Sequence, residues 1–322
     1  MKLGMQTGEK PGHGFRLRRK LVVSGVGLLA IAIALGVGLG VGLNNKHSDN
    51  DTTNDNLPSA TTGSGISDVN GTTSNDLWRP EAGTTWNYQL KVPLNNSANQ
   101  GFQVWDIDLF DNEVEIISGL QQNGSRVICY FSAGSYEDWR SDKGSFSESD
   151  LGSPLDGWPG ERWINVSSPA IRQIMVKRLD MAENKGCDGV DPDNVDGYDN
   201  DNGLHLTEGD AIAYMNFLTT EAHSRSLSIG LKNSGAIIPA VINSTEWSVN
   251  EQCLQYNECE TYAGFISANK PVFHVEYPKG DTTSDDEDIS TTERTKICED
   301  TSARGFSTVI KNIDLDAWTE LC

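Results

Sequence analysis

Carboxylates recur at the ends of short runs of β-branched and aromatic residues, with a spacing suited to acid and base chemistry. They form two pairs that stand two positions apart and two single positions further on: Asp106 and Asp108, Asp191 and Asp193, then Glu251 and Glu276. Side chains alternate faces along a strand, so the members of each pair should face the same way. One carboxyl of such a group can protonate a leaving oxygen while another serves as nucleophile or base, which is the chemistry of glycoside hydrolysis.

Other kinds of site fit these residues less well. A strand-end acid often caps the following helix, a role that suits Asp111 and Asp196, although acids at several strand ends together favour catalysis. The acidic run at residues 188–203 is similar to a calcium loop, but Val195 occupies the fifth position from Asp191, where an EF-hand needs an acid or amide. No GxSxG motif indicates a serine hydrolase, and we predict neither a metal nor a cofactor.

Such carboxylates need a scaffold that brings several strand ends to one place. Between residues 78 and 322, eight strand-like runs alternate with helix-period segments, which predicts parallel βαβ units. We therefore expect one α/β domain, a (β/α)8 TIM barrel with its site at the carboxyl ends of the strands. A doubly wound open sheet is the second interpretation, but no GxGxxG or P-loop motif supports it. The predicted strands are residues 85–90, 104–110, 126–131, 189–193, 227–232, 247–250, 272–277 and 306–311.

Helix signals between these strands support the same alternation. Ser168 and Pro169 predict the start of a helix that ends at Gly186. Thr207 and Asp210 have the spacing of a capping box. Asp111 is expected to cap a further helix, which ends before residue 124.

The first 77 residues are predicted to lie outside the barrel. Residues 21–43 contain no charged residue, are long enough to cross a bilayer, and follow four basic residues at positions 16–20. The positive-inside rule then places residues 1–20 in the cytosol as a basic tail and the remainder outside, in a single-pass type II cell-membrane protein. A cleaved signal peptide is the alternative, although its apolar core is usually shorter. The polar residues 44–77 are expected to form a flexible, disordered extracellular linker.

Six cysteines and six N-glycosylation sequons fit an extracellular domain. Disulfides are the default outside the cell, but sequence alone does not choose among the 15 connectivities. Cys253 and Cys259 could close a short local loop, and Cys298 and Cys322 could fasten the C-terminus. Cys129 and Cys187 could be free thiols in the core. The sequons begin at Asn50, Asn70, Asn95, Asn123, Asn165 and Asn243.

The chain carries a formal net charge of −21, although its first 20 residues are basic. An acidic domain repels nucleic acid and attracts cationic ligands, so we expect no nucleic-acid partner. Acidity alone is also common in secreted proteins, where it favours solubility. The catalytic domain is expected to be monomeric.

Aromatic side chains near strand ends and in loops offer surfaces on which pyranose rings can stack. They are Trp86, Trp105, Tyr130, Trp139, Trp158, Trp163, Tyr198 and Tyr277. Most tryptophans in a barrel pack in its core, so only two or three of these aromatics should contact a ligand. We predict Trp86, Tyr130 and Tyr198.

Several longer motifs follow one another along the chain: TWNYQL, VWDIDLFD, ICYFSAGSYEDWR, GWPGERW, GCDGVDPDNVDGY, GLKN, VNEQC and VFHVEY. They span nearly all of residues 84–278 and resemble glycoside hydrolase family 114, the endo-α-1,4-polygalactosaminidases. The resemblance implies a (β/α)8 barrel that cuts α-1,4-linked galactosamine, as in the galactosaminogalactan of fungal walls, with retention of configuration. The predicted anchor is also similar to that of some fungal members.

The resemblance also implies roles for individual residues. It makes Asp193 the nucleophile and Glu251 the general acid/base, and it leaves Asp191 as an alternative nucleophile because relatives often carry Glu there. The residues expected to bind substrate or shape the subsite are Asp106, Asp108, Tyr130, Asp191, Lys232, Asn233, Glu276, Trp86 and Tyr198. The charge of Lys232 should hold Asp193 ionised. The implied partner is a cationic galactosamine-containing polysaccharide, which an acidic cleft attracts.

A second function, from another class, is a wall-tethered barrel that binds the same polysaccharide without cutting it. A binding module needs no pair of acids at two strand ends. The presence of both Asp193 and Glu251 favours the enzyme.

Overall fold

The structure is a computed structural model that describes residues 77–95 and 101–322. The predicted cytosolic tail, membrane segment and nearly all of the linker, at residues 1–76, lie outside the described residues. Within the described part, no helix combines the length and the apolar character that crossing a bilayer requires.

Twelve strands form two sheets in the described part of the chain. In chain order they are β1 (Trp86–Gln89), β2 (Val104–Asp108), β3 (Arg126–Ser132), β4 (Ser135–Glu137), β5 (Leu151–Pro154), β6 (Glu161–Ile164), β7 (Gly189–Asp193), β8 (Ser228–Lys232), β9 (Trp247–Glu251), β10 (Val272–Glu276), β11 (Ser307–Lys311) and β12 (Thr319–Leu321). The large sheet runs β1-β2-β3-β7-β8-β9-β10-β11-β12. Its first eight members are parallel and match the eight predicted strands to within two residues at each end, whereas β12 runs antiparallel to β11.

The parallel strands curl into a barrel-like α/β fold, which confirms the predicted fold class in this broader form. The first and eighth parallel strands meet through side chains: the Trp86 Nε1 group donates to the carbonyl of Ser307 at 2.7 Å. The Lys311 Nζ atom on β11 also lies 3.4 Å from the Asn87 Oδ1 atom on β1. Because parallel strands all end at one edge, this arrangement brings their carboxyl ends together around one mouth.

Seven α-helices connect the strands in the described residues. They are α1 (Val114–Gln122), α2 (Pro169–Lys185), α3 (Glu208–Ser224), α4 (Ile238–Val241), α5 (Cys253–Tyr256), α6 (Ala263–Ser267) and α7 (Thr291–Cys298). Both longer helices have the predicted ends: α2 stops at Gly186, which adopts a left-handed φ of 78°, and Thr207 and Asp210 form the capping box of α3. The described residues between β1 and β2 contain no helix, so the strict alternation of the prediction does not hold there.

The predicted capping role of Asp111 is wrong. Helix α1 begins later, with Glu113 at its N-cap. The reason is the Asp108 carboxylate, which accepts the backbone N–H groups of Phe110 and Asp111 and so turns the chain before the helix. Asp196 precedes a short 3-10 turn and makes no side-chain cap there either.

The barrel interior is apolar in its amino-terminal half. Phe273 packs there against Trp86 and Trp247, with ring centroids 5.0 and 6.3 Å apart, respectively. The Trp247 indole lies directly over Gly230, where a Cβ atom would stand 2.0 Å from Nε1, and over Gly189, where it would stand 2.6 Å from Cη2. Only glycine leaves room for the ring at these two strand positions.

Three disulfides are present in the described residues, so the expectation of free thiols at Cys129 and Cys187 is wrong. These two cysteines are bonded to each other across 58 residues of sequence. The pairing follows from the sheet: β3 lies beside β7, Cys187 comes just before β7, and the two Cα atoms are 6.0 Å apart, within the ordinary disulfide range. The other two bonds, Cys253–Cys259 and Cys298–Cys322, match the arrangement that the sequence allowed.

Candidate active site

Lys232 lies at the centre of the barrel mouth. It ends β8, its side chain is only 2% exposed, and its Nζ atom lies 3.1 Å from the Asp193 Oδ2 atom and 3.2 Å from the Glu251 Oε2 atom. It also donates to the Tyr88 hydroxyl at 3.1 Å. Burial alone would lower the pKa of Lys232, but the charges of Asp193 and Glu251 raise it well above its ordinary value. The ammonium group therefore stays charged and links the ends of β7 and β9.

Asp193 is held by donors on three sides. The Tyr130 hydroxyl donates to Oδ2 at 2.9 Å, and the Asn194 backbone N–H donates to Oδ1 at 2.7 Å. Its backbone carbonyl accepts the N–H groups of Ala133 and Gly134 at 2.8 and 2.9 Å. Lys232 is the third donor to the Asp193 carboxylate. All three partners of the carboxylate are donors, which suits an ionised group that has acceptors only.

Glu251 has a different set of neighbours. The Asn233 Nδ2 group donates to Oε2 at 3.3 Å, and the Glu251 backbone N–H donates to Asn233 Oδ1 at 3.0 Å. The hydroxyl of Tyr277, just after β10, donates to Oε1. The Glu251 side chain is 25% exposed, compared with 16% for Asp193, so both carboxyls reach the solvent-facing mouth.

A sharp turn follows each strand that carries these groups. Asn194, Asn233 and Gln252 have φ values of 61°, 48° and 62°, in the left-handed region that side chains other than glycine rarely adopt. Each is held there by hydrogen bonds, such as the donation from Gln252 N to the Val275 carbonyl at 2.8 Å. Backbone strain of this kind is concentrated at functional sites, where the surrounding structure maintains it.

Comparisons with known proteins identify the family of this chain. The model of glycoside hydrolase family GH114 matches residues 69–322. The chain belongs to family GH114. Ega3 of Aspergillus fumigatus, solved in complex with galactosamine, is 57% identical over 76% of this chain and 97% of its own, with a TM-score of 0.74.

A more distant solved structure shares the fold alone. The glycoside hydrolase domain of PelA from Pseudomonas aeruginosa is 11% identical over 74% of this chain and 98% of its own, with a TM-score of 0.57. No curated protein sequence matches the chain. Membership of family GH114 makes this protein a glycosidase and confirms the predicted family.

In this GH114 chain, five predicted residues converge on the mouth and others do not. Those brought together are Asp193, Glu251, Lys232, Tyr130 and Asn233. Tyr198 is half-buried in the loop after β7, beside Asp196 and Asp199. Burial raises its pKa to about 12, so its hydroxyl stays protonated.

Trp86, Asp106 and Asp191 are buried below the mouth, and their predicted substrate contacts stay predictions. Trp86 is 1% exposed and lies at the amino end of β1 in the apolar half of the barrel. Asp106 and Asp191 are 0% exposed. Residues on one face of a strand recur roughly 6.6 Å apart, so an acid two positions before the strand end lies one layer below the mouth.

Asp108 and Glu276 are hydrogen-bonded to partners inside the protein, and their predicted role in shaping the subsite stays a prediction. Both Asp108 oxygens accept from the buried Arg140 guanidinium, with Nη1 at 2.9 Å and Nη2 at 2.5 Å. Glu276 accepts from the backbone N–H of Leu254 at 2.8 Å and lies 2.9 Å from His274 Nε2. Glu276 therefore fixes the chain just after Glu251, and Asp108 fixes the loop after β4.

Two further tyrosines belong to the site: the sequence indicated Tyr277 only as one of eight candidate aromatics, and it did not single out Tyr88. Tyr88 and Tyr277 contact Lys232 and Glu251, respectively. Burial and the neighbouring carboxylates raise the pKa of both phenols well above the ordinary value, so both hydroxyls remain protonated. Tyr277 ends the VFHVEY motif and Tyr88 lies in the TWNYQL motif, but neither motif shows that these hydroxyls contact Glu251 and Lys232.

One group of ligand-type residues lies close together elsewhere, at Cys253, Cys259 and His274. The two cysteines form a disulfide with each other. A disulfide offers no thiolate for a metal, so this cluster does not have the chemistry of a metal site.

Proposed function

We propose that this protein is an endo-acting, retaining glycosidase that cleaves α-1,4-linked galactosamine in a cell-surface polysaccharide of the galactosaminogalactan type. The main observation in support of this proposal is that the carboxyls of Asp193 and Glu251 both contact the ammonium group of Lys232. The Asp193 and Glu251 oxygens that contact Lys232 Nζ at 3.1 and 3.2 Å stand no more than 6.3 Å apart, the sum of those distances. Retaining glycosidases hold their carboxyls about 5 to 5.5 Å apart, and inverting enzymes about 6.5 to 9.5 Å.

In the proposed reaction, Glu251 gives its proton to the glycosidic oxygen while Asp193 attacks the anomeric carbon. The bond to the leaving sugar breaks and a covalent glycosyl-enzyme forms. Glu251 then takes a proton from water, whose oxygen attacks the same carbon and releases Asp193. Asp193 suits the nucleophile because the Tyr130 hydroxyl, the Asn194 backbone N–H and Lys232 hold its carboxylate in place at the mouth. The complete burial of Asp191 argues against the alternative.

The proposed substrate class rests on charge and on the relative. A deacetylated galactosamine unit is a cation at neutral pH, and this chain has a net charge of −21. An acidic mouth should therefore favour it over the acetylated sugar. Ega3, which is 57% identical, was solved with galactosamine bound.

Replacing Glu251 with Gln tests the enzyme against the non-catalytic binding barrel. We expect the release of reducing ends from partly deacetylated galactosaminogalactan to fall roughly 10²- to 10⁴-fold, because the amide cannot donate a proton at the required step. Glu260→Gln, the same change at an exposed position nearby, should leave the rate unchanged. Absence of hydrolysis by the unaltered protein, with binding retained, would support the binding barrel instead.

Product analysis tests the stereochemistry and the endo mode. NMR of the first-formed reducing ends should show the α anomer, because a retaining enzyme inverts configuration twice. Mass spectrometry at early times should show a ladder of oligosaccharides rather than monosaccharide. A first-formed β anomer contradicts the covalent intermediate, and exclusive release of monosaccharide contradicts endo cleavage.

The cellular location that we propose is the cell membrane, with the barrel outside in a type II topology. Its support is the uncharged run at residues 21–43 after a basic segment, together with exposed sequon asparagines at Asn95, Asn123 and Asn243. A tag at the C-terminus should be accessible on intact cells, and the protein should resist carbonate extraction. Deletion of residues 21–43 should release it, and an unextractable deletion variant would exclude this segment as the anchor.

A further inference from the structure

Asn194, the residue after the proposed nucleophile, makes contacts with both its backbone and its side chain. Its backbone N–H donates to the Asp193 Oδ1 atom at 2.7 Å. Its side-chain Nδ2 group donates to the Ser135 Oγ atom at 3.0 Å and to the Ser132 Oγ atom at 3.3 Å. Both serines are buried. Asn194 therefore links one carboxylate oxygen of Asp193 to the end of β3 and the start of β4.

The hydrogen bonds continue from Ser135 into the small sheet. Ser135 begins β4, and its Oγ atom donates to the Oε2 atom of Glu161, which begins β6, at 2.8 Å. A hydroxyl has a single proton, so Ser135 donates to Glu161 and accepts from Asn194. The side chains of Glu161, Ser135 and Asn194 thus connect the small sheet to the turn after β7.

The backbone of this turn packs against the segment between β3 and β4. The N–H groups of Ala133 and Gly134 donate to the Asp193 carbonyl at 2.8 and 2.9 Å. A Cβ atom at Gly134 would stand 1.7 Å from the Asn194 carbonyl oxygen, so only glycine allows this approach. The Gly134 carbonyl accepts the N–H of Ile164 on β6 at 3.1 Å. The small sheet therefore supports the turn through backbone contacts as well as through side chains.

The residue type at position 194 indicates that its side chain is used. Asn194 has a φ of 61°, in the left-handed region that glycine adopts without steric cost. Asparagine is one of the few other residues that tolerate this region, and its amide adds two N–H donors that glycine lacks. Both donors have acceptors in the buried serines. The side chain thus fixes the conformation that directs the backbone N–H at Asp193.

We infer that Asn194 is a positioning residue for the nucleophile Asp193, and that Ser135 and Glu161 of the small sheet keep Asn194 in place. The Asn194 N–H holds the Oδ1 atom, whereas two other donors hold the Oδ2 atom. Fixing both oxygens sets the angle at which the carboxylate meets the anomeric carbon, and a displacement of about 1 Å can lower a rate roughly 100-fold. This inference rests on the proposed function, since it takes Asp193 as the nucleophile.

Asn194→Gly tests the inference, because it keeps the backbone N–H and the left-handed conformation and removes only the side chain. For cleavage of partly deacetylated galactosaminogalactan, kcat should fall about 10- to 100-fold while KM changes less than about twofold. The control Asn269→Gly makes the same change at an exposed asparagine with a φ of 54°, before β10 at the opposite end of the barrel, and should leave both constants unchanged. An unchanged kcat in Asn194→Gly, or a rise in KM alone, overturns the inference.

Ser135→Ala tests the link between Asn194 and the small sheet. It removes one acceptor of the Asn194 amide, so kcat should fall about 3- to 10-fold. The double variant Ser135→Ala, Asn194→Gly should be no slower than the slower single variant, because both changes break the same hydrogen bond. Losses that multiply in the double variant overturn the link. A purely structural role predicts a lower free energy of unfolding with kcat per folded molecule unchanged, which also overturns it.

Glu161 offers a matched pair of substitutions. Burial raises the pKa of Glu161 to about 8, so at pH 6 its carboxyl and the amide of glutamine have the same charge and nearly the same shape. Glu161→Gln keeps an acceptor for Ser135, whereas Glu161→Met removes it. At that pH, kcat should fall further in Glu161→Met than in Glu161→Gln, to the level of Ser135→Ala. Equal kcat values for the two Glu161 variants overturn the assigned role of Glu161.

Asp193→Asn, measured beside these variants, separates this inference from the proposed function. An Asp193→Asn variant with the full rate overturns the proposed nucleophile, and the positioning role of Asn194 with it. If Asp193→Asn is inactive and Asn194→Gly keeps the full rate, the proposed nucleophile stands and only the positioning role is overturned.

Discussion

The two halves of the barrel interior differ in what they contain and in what they do. The amino-terminal half, which we call the floor, is an aromatic cluster of Trp86, Trp247 and Phe273 packed over glycines. The carboxyl-terminal half is the mouth, where Lys232 lies between two acids. One strand serves both halves: β9 begins with Trp247 and ends with Glu251.

This contrast implies a division of labour between stability and catalysis. Burial of large aromatic surfaces stabilises the fold, and the close packing of the floor tolerates little change of volume. The mouth contains charges in a poorly solvated place, an arrangement that adds little to stability and is maintained where function needs it. Substitutions in the mouth should therefore change turnover, and substitutions in the floor should change the free energy of unfolding.

Asp193→Asn should give the largest effect and test the mouth alone. The amide is a poor nucleophile with almost the same shape, so kcat/KM should fall by about 10³-fold or more. The free energy of unfolding should change by less than about 1 kcal/mol. Asp201→Asn, at an exposed position in the following loop, is the matched control. A large loss of stability in Asp193→Asn would show that the mouth also supports the fold.

Gly230→Ala should test the floor. Its Cβ atom would stand 2.0 Å from the Trp247 Nε1 atom, so the buried indole must move, at a cost of about 3 kcal/mol. Gly119→Ala in α1 makes the same change where no atom lies within 4 Å, and it should stabilise the helix by about 0.5 to 1 kcal/mol. Urea unfolding of both variants measures the difference. Equal stabilities would contradict the tight packing of the floor.

Tyr277→Phe should have a smaller effect, confined to the mouth. The hydroxyl donates to Glu251 and holds its carboxyl in place, so removing it should lower kcat about 10-fold. Tyr136→Phe, which removes a hydroxyl from β4 in the small sheet β4-β6-β5, should leave kcat unchanged. A kcat of Tyr277→Phe equal to that of the unaltered protein would contradict the positioning role of the Tyr277 hydroxyl.

The sequence predicted the strands of this fold well because their ends carry clear signals. Runs such as VWDID and VFHVE are bounded by turn residues, and their parallel arrangement fixes where they end. The depth of each acid could not be predicted, because alternation gives the face of a side chain and not its layer. That is why Asp191 and Asp193, two residues apart, separate into a fully buried carboxyl and a mouth carboxylate.

Contacts between distant segments were also beyond the sequence. The Cys129–Cys187 bond depends on β3 lying beside β7, and the ion pair of Asp108 with Arg140 depends on the segment after β4 reaching the end of β2. Gly134 shows the same limit, since a Cβ atom there would stand 1.7 Å from the Asn194 carbonyl oxygen. Its motif, FSAGSY, gives no sign of that close approach.

Glu161 lies in a third region, the small sheet β4-β6-β5, and its burial can be compared with that of the floor and the mouth. Burial, followed by the charge of Glu137, raises its pKa to about 8, and Ser135 Oγ donates to it at 2.8 Å. The folded protein holds the Glu161 proton more tightly than the unfolded chain does. Protonation of Glu161 therefore contributes fully to the stability of the fold at pH values below the ordinary pKa range of carboxyl groups. That contribution is lost as the pH rises towards about 8, by up to about 1.4 kcal/mol per pH unit.

Glu161→Gln should remove that loss, because an amide stays neutral at every pH. Urea unfolding between pH 5 and 8 should give a flatter dependence in the variant than in the unaltered protein, with the variant relatively more stable at the alkaline end. Glu183→Gln, on the exposed face of α2, should keep the original slope. Parallel slopes for all three proteins would mean that the environment of Glu161 is solvated in the folded protein.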